Sequence, residues 1–205
     1  MERTRKGLIA KRRVVEAAMQ VFYQNGPNKF CVADVCDYAE ISRGGLNNYF
    51  RTLHDLWTAA VERLVDEFLK DFRSAIMLQN VDGEPVQSVL QAYAQIMVSD
   101  RGRSIIELKI MSRTEKDVRR PIFAEMARLD TGISNVLQDF CRDFPENLGF
   151  VSERLDLFRW WIDGYLINRY LSNNKSSRDT LQIVIATLSD KDTFIVPSRS
   201  ALASR

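Results

Sequence analysis

Twenty residues, Cys31 to Phe50, reading CVADVCDYAEISRGGLNNYF, restrict this chain more than any other stretch. A short segment with apolar Val32, Val35, Cys36 and Ala39 breaks at Glu40-Ile41. Ser42 opens a second segment whose apolar members are Leu46, Tyr49 and Phe50. Two short helices, a turn of about three residues and a serine cap make the pattern of a helix-turn-helix. The second helix carries Arg43, Asn47 and Asn48 outward. Arginine suits guanine or phosphate, and asparagine suits adenine.

Over 205 residues the net charge is only +2, which says nothing about nucleic acid, but its distribution does. The first thirteen residues hold Arg3, Arg5, Lys6, Lys11, Arg12 and Arg13 against the single acid Glu2. Such an arm is the electrostatic footprint of a phosphate binder or, on the blander reading, a solvated terminus. No apolar run approaches the ~20 residues a bilayer requires, and no signal-peptide core follows the basic start, so a cytoplasmic protein is expected. Three cysteines make an odd count that fits free thiols in a reducing compartment. Cys31 and Cys36 match no common ligand spacing and His54 is the only histidine, so no metal and no cofactor are expected. No nucleophile–base pair, phosphate loop or catalytic carboxylate pair can be read, so the chain is not expected to be an enzyme.

Apolar periodicity and breakers give an all-α chain of nine helices. The first runs from Leu8 to Gln24 and stops at Asn25-Gly26-Pro27. The second spans Val32 to Ala39 and the third Ser42 to Tyr49, sharing a core of Val15, Phe22, Val35, Leu46 and Phe50. Thr52 with Asp55 forms a variant capping box opening a fourth helix of about 25 residues, roughly 37 Å long. A fifth runs from Pro85 to about Ser99, and Asp100-Arg101-Gly102 reads as a break. A sixth follows over Arg103 to Arg113, a seventh from Asp117 to Asp143, an eighth from a Ser152 cap to Leu171, and a ninth over Arg178 to Leu188. The expected division is a helix-turn-helix domain at 1–52, a helical ligand-binding and dimerisation domain at 53–190, and a mobile tail at 191–205.

Projected at 100° per residue, the eighth helix confines Asp156, Arg159, Asp163 and Tyr170 to one stripe and is apolar almost everywhere else. One apolar face serves a surface helix, so this one has enough for its own core and something outside. With the ninth helix it suggests a four-helix contact across a two-fold axis. Leu155, Phe158, Ile162, Leu166, Leu181, Val184, Ile185 and Leu188 are the residues expected at that contact. The other reading is a helix central to one core.

These features resemble the TetR family of bacterial transcriptional regulators. The resemblance rests on Arg13, Ala17, Ala18, Phe22 and Gly26, then Val32, Asp34, Val35, Ala39 and Ile41-Ser42, then Gly44, Leu46, Tyr49-Phe50 and Leu56, with gapless spacing. Four positions depart from the family pattern. Cys31 replaces a Thr or Ser cap, Glu40 a turn glycine, Asn47 an aromatic, and Leu53 a lysine. The resemblance implies a homodimeric repressor whose recognition helices enter successive major grooves of a palindromic operator in double-stranded DNA. Ser42, Arg43, Gly44, Asn47 and Asn48 are the expected base and phosphate contacts. Tyr49 is a phosphate contact or core, and the amides near Thr52 and His54 are a phosphate site. Arg3, Arg5 and Lys6 add salt-dependent affinity or reach the minor groove. The family further implies a small-molecule effector, with Leu64, Phe68, Met97, Glu107, Met111, Met126, Trp161, Tyr165 and Asn168 as candidate lining. An activator, or a helical interaction module without DNA binding, are the alternatives.

Overall fold

The computed structural model describes residues 2–79, 84–171 and 178–190, and every regular element among them is helical. Nine α-helices result: α1 (Glu2–Asn25), α2 (Val32–Ala39), α3 (Arg43–Asn47), α4 (Leu53–Gln79), α5 (Pro85–Met97), α6 (Asp100–Thr114), α7 (Lys116–Phe140), α8 (Leu148–Leu171) and α9 (Arg178–Ser189). Residues 80–83 and 172–177, and the expected tail from Lys191, lie outside the described residues.

The fifth and seventh helices end early, at Met97 and Phe140, and four further boundaries differ from the sequence reading for a physical reason. The first helix begins at Glu2 rather than Leu8. Only Gly7 stands between the two as a breaker, and a single glycine costs a helix about 1 kcal/mol without ending it. The third helix ends at Asn47, two residues early, because Gly44-Gly45 gives it little propensity beyond one turn. The eighth begins at Leu148, ahead of Ser152, continuing from a 3-10 turn at Pro145–Asn147 so that Val151 is already buried.

The sixth is the instructive case. Asp100-Arg101-Gly102 is no break but the first turn of α6, with Ser99 in extended backbone before it. A Cβ on Gly102 would meet the Met97 backbone closer than the 3.0 Å that real Cβ contacts essentially never breach. This glycine lets the start of α6 fold back against the end of α5.

The chain divides into two compact units, residues 1–74 with 95–136, and residues 75–94 with 137–205. The first has a core of Phe22, Leu56, Leu64, Phe68, Ile105 and Ile106, each under 3% exposed. Its long helices are cross-tied by arginines. Arg128 on α7 donates to Glu125 at 2.7 Å, to the Asp66 carboxylate at 2.6 Å and to the Glu62 carbonyl at 2.8 Å, the last two on α4. Arg101 on α6 donates to Glu67 at 2.8 Å and to Asp71. The second unit is centred on Tyr93 and Phe158, edge to face at 6.4 Å, with Ile76, Leu90, Val151 and Ile162 also buried.

Candidate functional site

The helix-turn-helix is held together by backbone geometry first. At the end of α2, Glu40 donates to the Asp37 carbonyl at 3.2 Å and Ile41 to the Cys36 carbonyl at 3.1 Å. This is the paired pattern of a Schellman termination. It requires a left-handed residue, and Glu40 supplies it at φ 53°, ψ 46°. A side chain there is strained by roughly 1 kcal/mol. Glu40→Gly is therefore expected to stabilise the protein by about 0.5–1 kcal/mol, read as a higher urea midpoint at unchanged slope. Arg13 on α1 donates to the Ala39 carbonyl, placing a cation at the negative end of α2. Cys31 precedes α2 in cap position without a side-chain cap hydrogen bond, whereas Ser42 accepts from the Gly45 amide at 3.1 Å. Cys36 and Cys141 are buried free thiols, and Cys31 is only half-buried.

Beneath this frame lie Val14, Ala18, Phe22, Val35, Leu46 and Phe50, all buried; Val15, expected among them, is half-buried because Val14 takes the inward position. Leu46 and Phe50 pin α3 down while Ser42, Arg43, Gly44, Asn47 and Asn48 stand exposed. Tyr49 is half-buried. The side chains of Arg3, Arg5 and Lys6 lie outside the described residues, although their backbone belongs to α1.

At the start of α4, Thr52 and Asp55 form a reciprocal capping box. The Thr52 amide donates to Asp55 at 3.1 Å and the Asp55 amide to the Thr52 hydroxyl at 3.0 Å. The box engages two of the amides offered for a phosphate and sets a carboxylate beside them. The amides of Leu53 and His54 are not part of it, and both side chains are exposed. Arg51, also exposed, adds a cation that periodicity gave no reason to single out.

The nine candidate effector residues fall in both units. Leu64, Phe68, Met97, Glu107, Met111 and Met126 belong to the first, and Trp161, Tyr165 and Asn168 to the second. Leu64, Phe68 and Met97 are completely buried. Trp161 is half-buried and stacks between Phe158 at 5.7 Å and Tyr165 at 5.0 Å, while Asn168 is exposed and donates to the Gly164 carbonyl at 2.9 Å.

Glu107 on α6 reaches the turn after α1. A Cβ on Gly26, which holds φ 78°, would lie 2.8 Å from a Glu107 carboxylate oxygen. Burial pushes the Glu107 carboxyl above the usual carboxylate range, and Arg103 only partly offsets this. A raised acid disfavours folding once it must ionise. The penalty is small below the ordinary carboxylate range and grows as pH rises through the folded-state value. Glu107→Gln is expected to raise the thermal midpoint at pH 7.5 and barely alter it at pH 4.

Beside this contact opens a cavity of about 550 Å³ that the sequence did not disclose. Pro27, Asn28 and Phe30 line it from the turn after α1, and Leu53, His54 and Trp57 from α4. Ile110, Met111 and Thr114 close α6's side, with Glu115 and Val118 following. Met111 alone among the candidate effector residues and His54 alone among the DNA candidates belong to it.

The expected dimer contacts also need placing. Leu155, Phe158, Ile162, Leu166, Ile185 and Leu188 are buried within the single chain, and Leu181 and Val184 are half-buried. The outward apolar surface is a different set: Trp160 at 75% exposure, Leu157 at 37% and Ile183 at 64%.

Residues 14–60 match the sequence model described as bacterial regulatory proteins, tetR family. No curated protein sequence matches the chain. Solved structures resemble it over most of its length. One is classed with TetR-family transcriptional regulators, from Mesorhizobium loti, at TM-score 0.68 and 12% identity over 89% of this chain and 94% of that one. The reduced form of NemR from E. coli gives TM-score 0.64 at 15% identity, covering 92% and 99%. The multidrug binding protein EbrR complexed with ethidium gives 0.61 at 16%, covering 87% and 98%. At these identities the structures speak for the fold.

Proposed function

We propose, for a chain whose residues 14–60 match the model of the tetR family of bacterial regulatory proteins, a cytoplasmic, homodimeric repressor that a small molecule releases from a palindromic operator. The observation that carries this reading is the exposure of Ser42, Arg43, Gly44, Asn47 and Asn48 on one side of α3 while Leu46 and Phe50 anchor the other. That arrangement presents donors and amides to base edges and phosphates from a fixed frame. Residues 1–52 act as the DNA-reading domain and 53–190 as the effector and dimerisation part.

A five-residue recognition helix reads too few bases alone, and a second copy supplies the matching half-site. Exposed Trp160 and Leu157 on α8 and Ile183 on α9 support a two-fold contact along these helices. EbrR's complex with ethidium, at the same fold, favours a planar aromatic cation as effector. Effector acts by population shift, binding better to the form whose heads are wrongly spaced for the operator.

The test is a gel shift against DNA upstream of the chain's own gene at two salt concentrations. A sequence-selective shift that weakens steeply with salt is expected. A shift equal on scrambled DNA would sink the reading and favour a helical interaction module.

A further inference from the structure

The cavity beside the helix-turn-helix has the size of a ligand site. Its 550 Å³ lies within the range of roughly 300–1,000 Å³ typical of small-molecule sites. Two walls are aromatic, Phe30 and Trp57, and both pack on Phe22, at 5.0 and 6.1 Å between ring centroids. Two large aliphatic side chains at the cavity, Leu53 and Ile110, remain 42% and 47% exposed, although Trp57 and Met111 beside them are buried. An occupant with an apolar body would cover them.

The charge pattern chooses the occupant. The lining contains one carboxylate, Glu115, one histidine, His54, and neither lysine nor arginine. A second carboxylate, Glu107, lies on α6 against Gly26, next to lining residue Pro27. The C-terminal end of α1, the negative pole of that helix, immediately precedes Pro27. Arg119 is committed to the Ser112 and Arg113 carbonyls at 2.8 Å each. The positive pole of α4 at Leu53 is met by the Asp55 carboxylate of the capping box.

We propose that this cavity binds small organic cations with an aromatic body, the ring against Phe30 and Trp57 and the charge toward Glu115. An occupant bridges the turn after α1 and the start of α4 to the α6 end, so it holds the head against α6. That consequence rests on the regulator reading; the binding itself does not.

Titration calorimetry on the full chain without DNA tests it, using tetraphenylphosphonium and its isosteric anion tetraphenylborate. The cation is expected to bind in the micromolar range and the anion not at all. Ile110→Trp fills the cavity from an already exposed position and should abolish binding while the circular dichroism stays unchanged. Glu115→Gln should weaken the cation roughly three- to fivefold, as loss of an exposed ion pair does. Equal binding of both ions, no binding of the cation at millimolar concentration, or unchanged affinity in either variant overturns the proposal. Because no DNA is present, this result is separate from the outcome of the gel shift.

Discussion

Gly102→Ala is expected to destabilise the protein by about 3 kcal/mol, the upper part of the usual range for overpacking. An added methyl here has no flexible side chain to displace. Its nearest neighbours are the Cα, carbonyl carbon and carbonyl oxygen of Met97, so only movement of the α5–α6 backbone makes room. That corner carries Arg101, which ties α6 to Glu67 and Asp71 on α4. Displacing it strains the ion pairs as well. Urea denaturation measures the loss. A change under about 0.5 kcal/mol would mean that the corner is loose and the close approach of α6 to Met97 is incidental.

Arg43→Ala should weaken operator binding by about 1–3 kcal/mol, between five- and 150-fold, while leaving thermal stability unchanged. Arg43 is exposed and opens α3, one residue after the Ser42 cap, so nothing in the fold depends on it. The salt slope distinguishes its two roles. Loss of a phosphate contact flattens the slope by about one unit at every sequence, whereas loss of a guanine contact relaxes preference at one base pair. Undiminished affinity would remove Arg43 from the interface.

The helix-turn-helix was legible in sequence because each part is signalled locally. The Thr52–Asp55 box, the Ser42 cap and the break at Glu40 are properties of four or five consecutive residues, and each forms as its spacing demands. The α6 start was not legible, since Gly102 reads as a breaker until Met97 is placed beside it. The eighth helix shows a different limit. A helix apolar nearly all round cannot reveal which arc faces inward, so Phe158 and Ile162 were indistinguishable from Trp160 and Leu157 before the fold was known. The cavity was invisible because three separated segments build it, and Leu53 and Ile110 face away from the apolar stripe each helix buries.

The exposed Trp160 has a consequence for how this protein behaves in a tube. If the indole is covered only by a second copy, folding and association are linked, and dilution removes part of the stability. The melting temperature should then climb as protein concentration is raised a hundredfold, and Trp160→Glu should melt at one temperature throughout. In a cell, the same linkage makes the fraction of folded protein depend on how much of it is made.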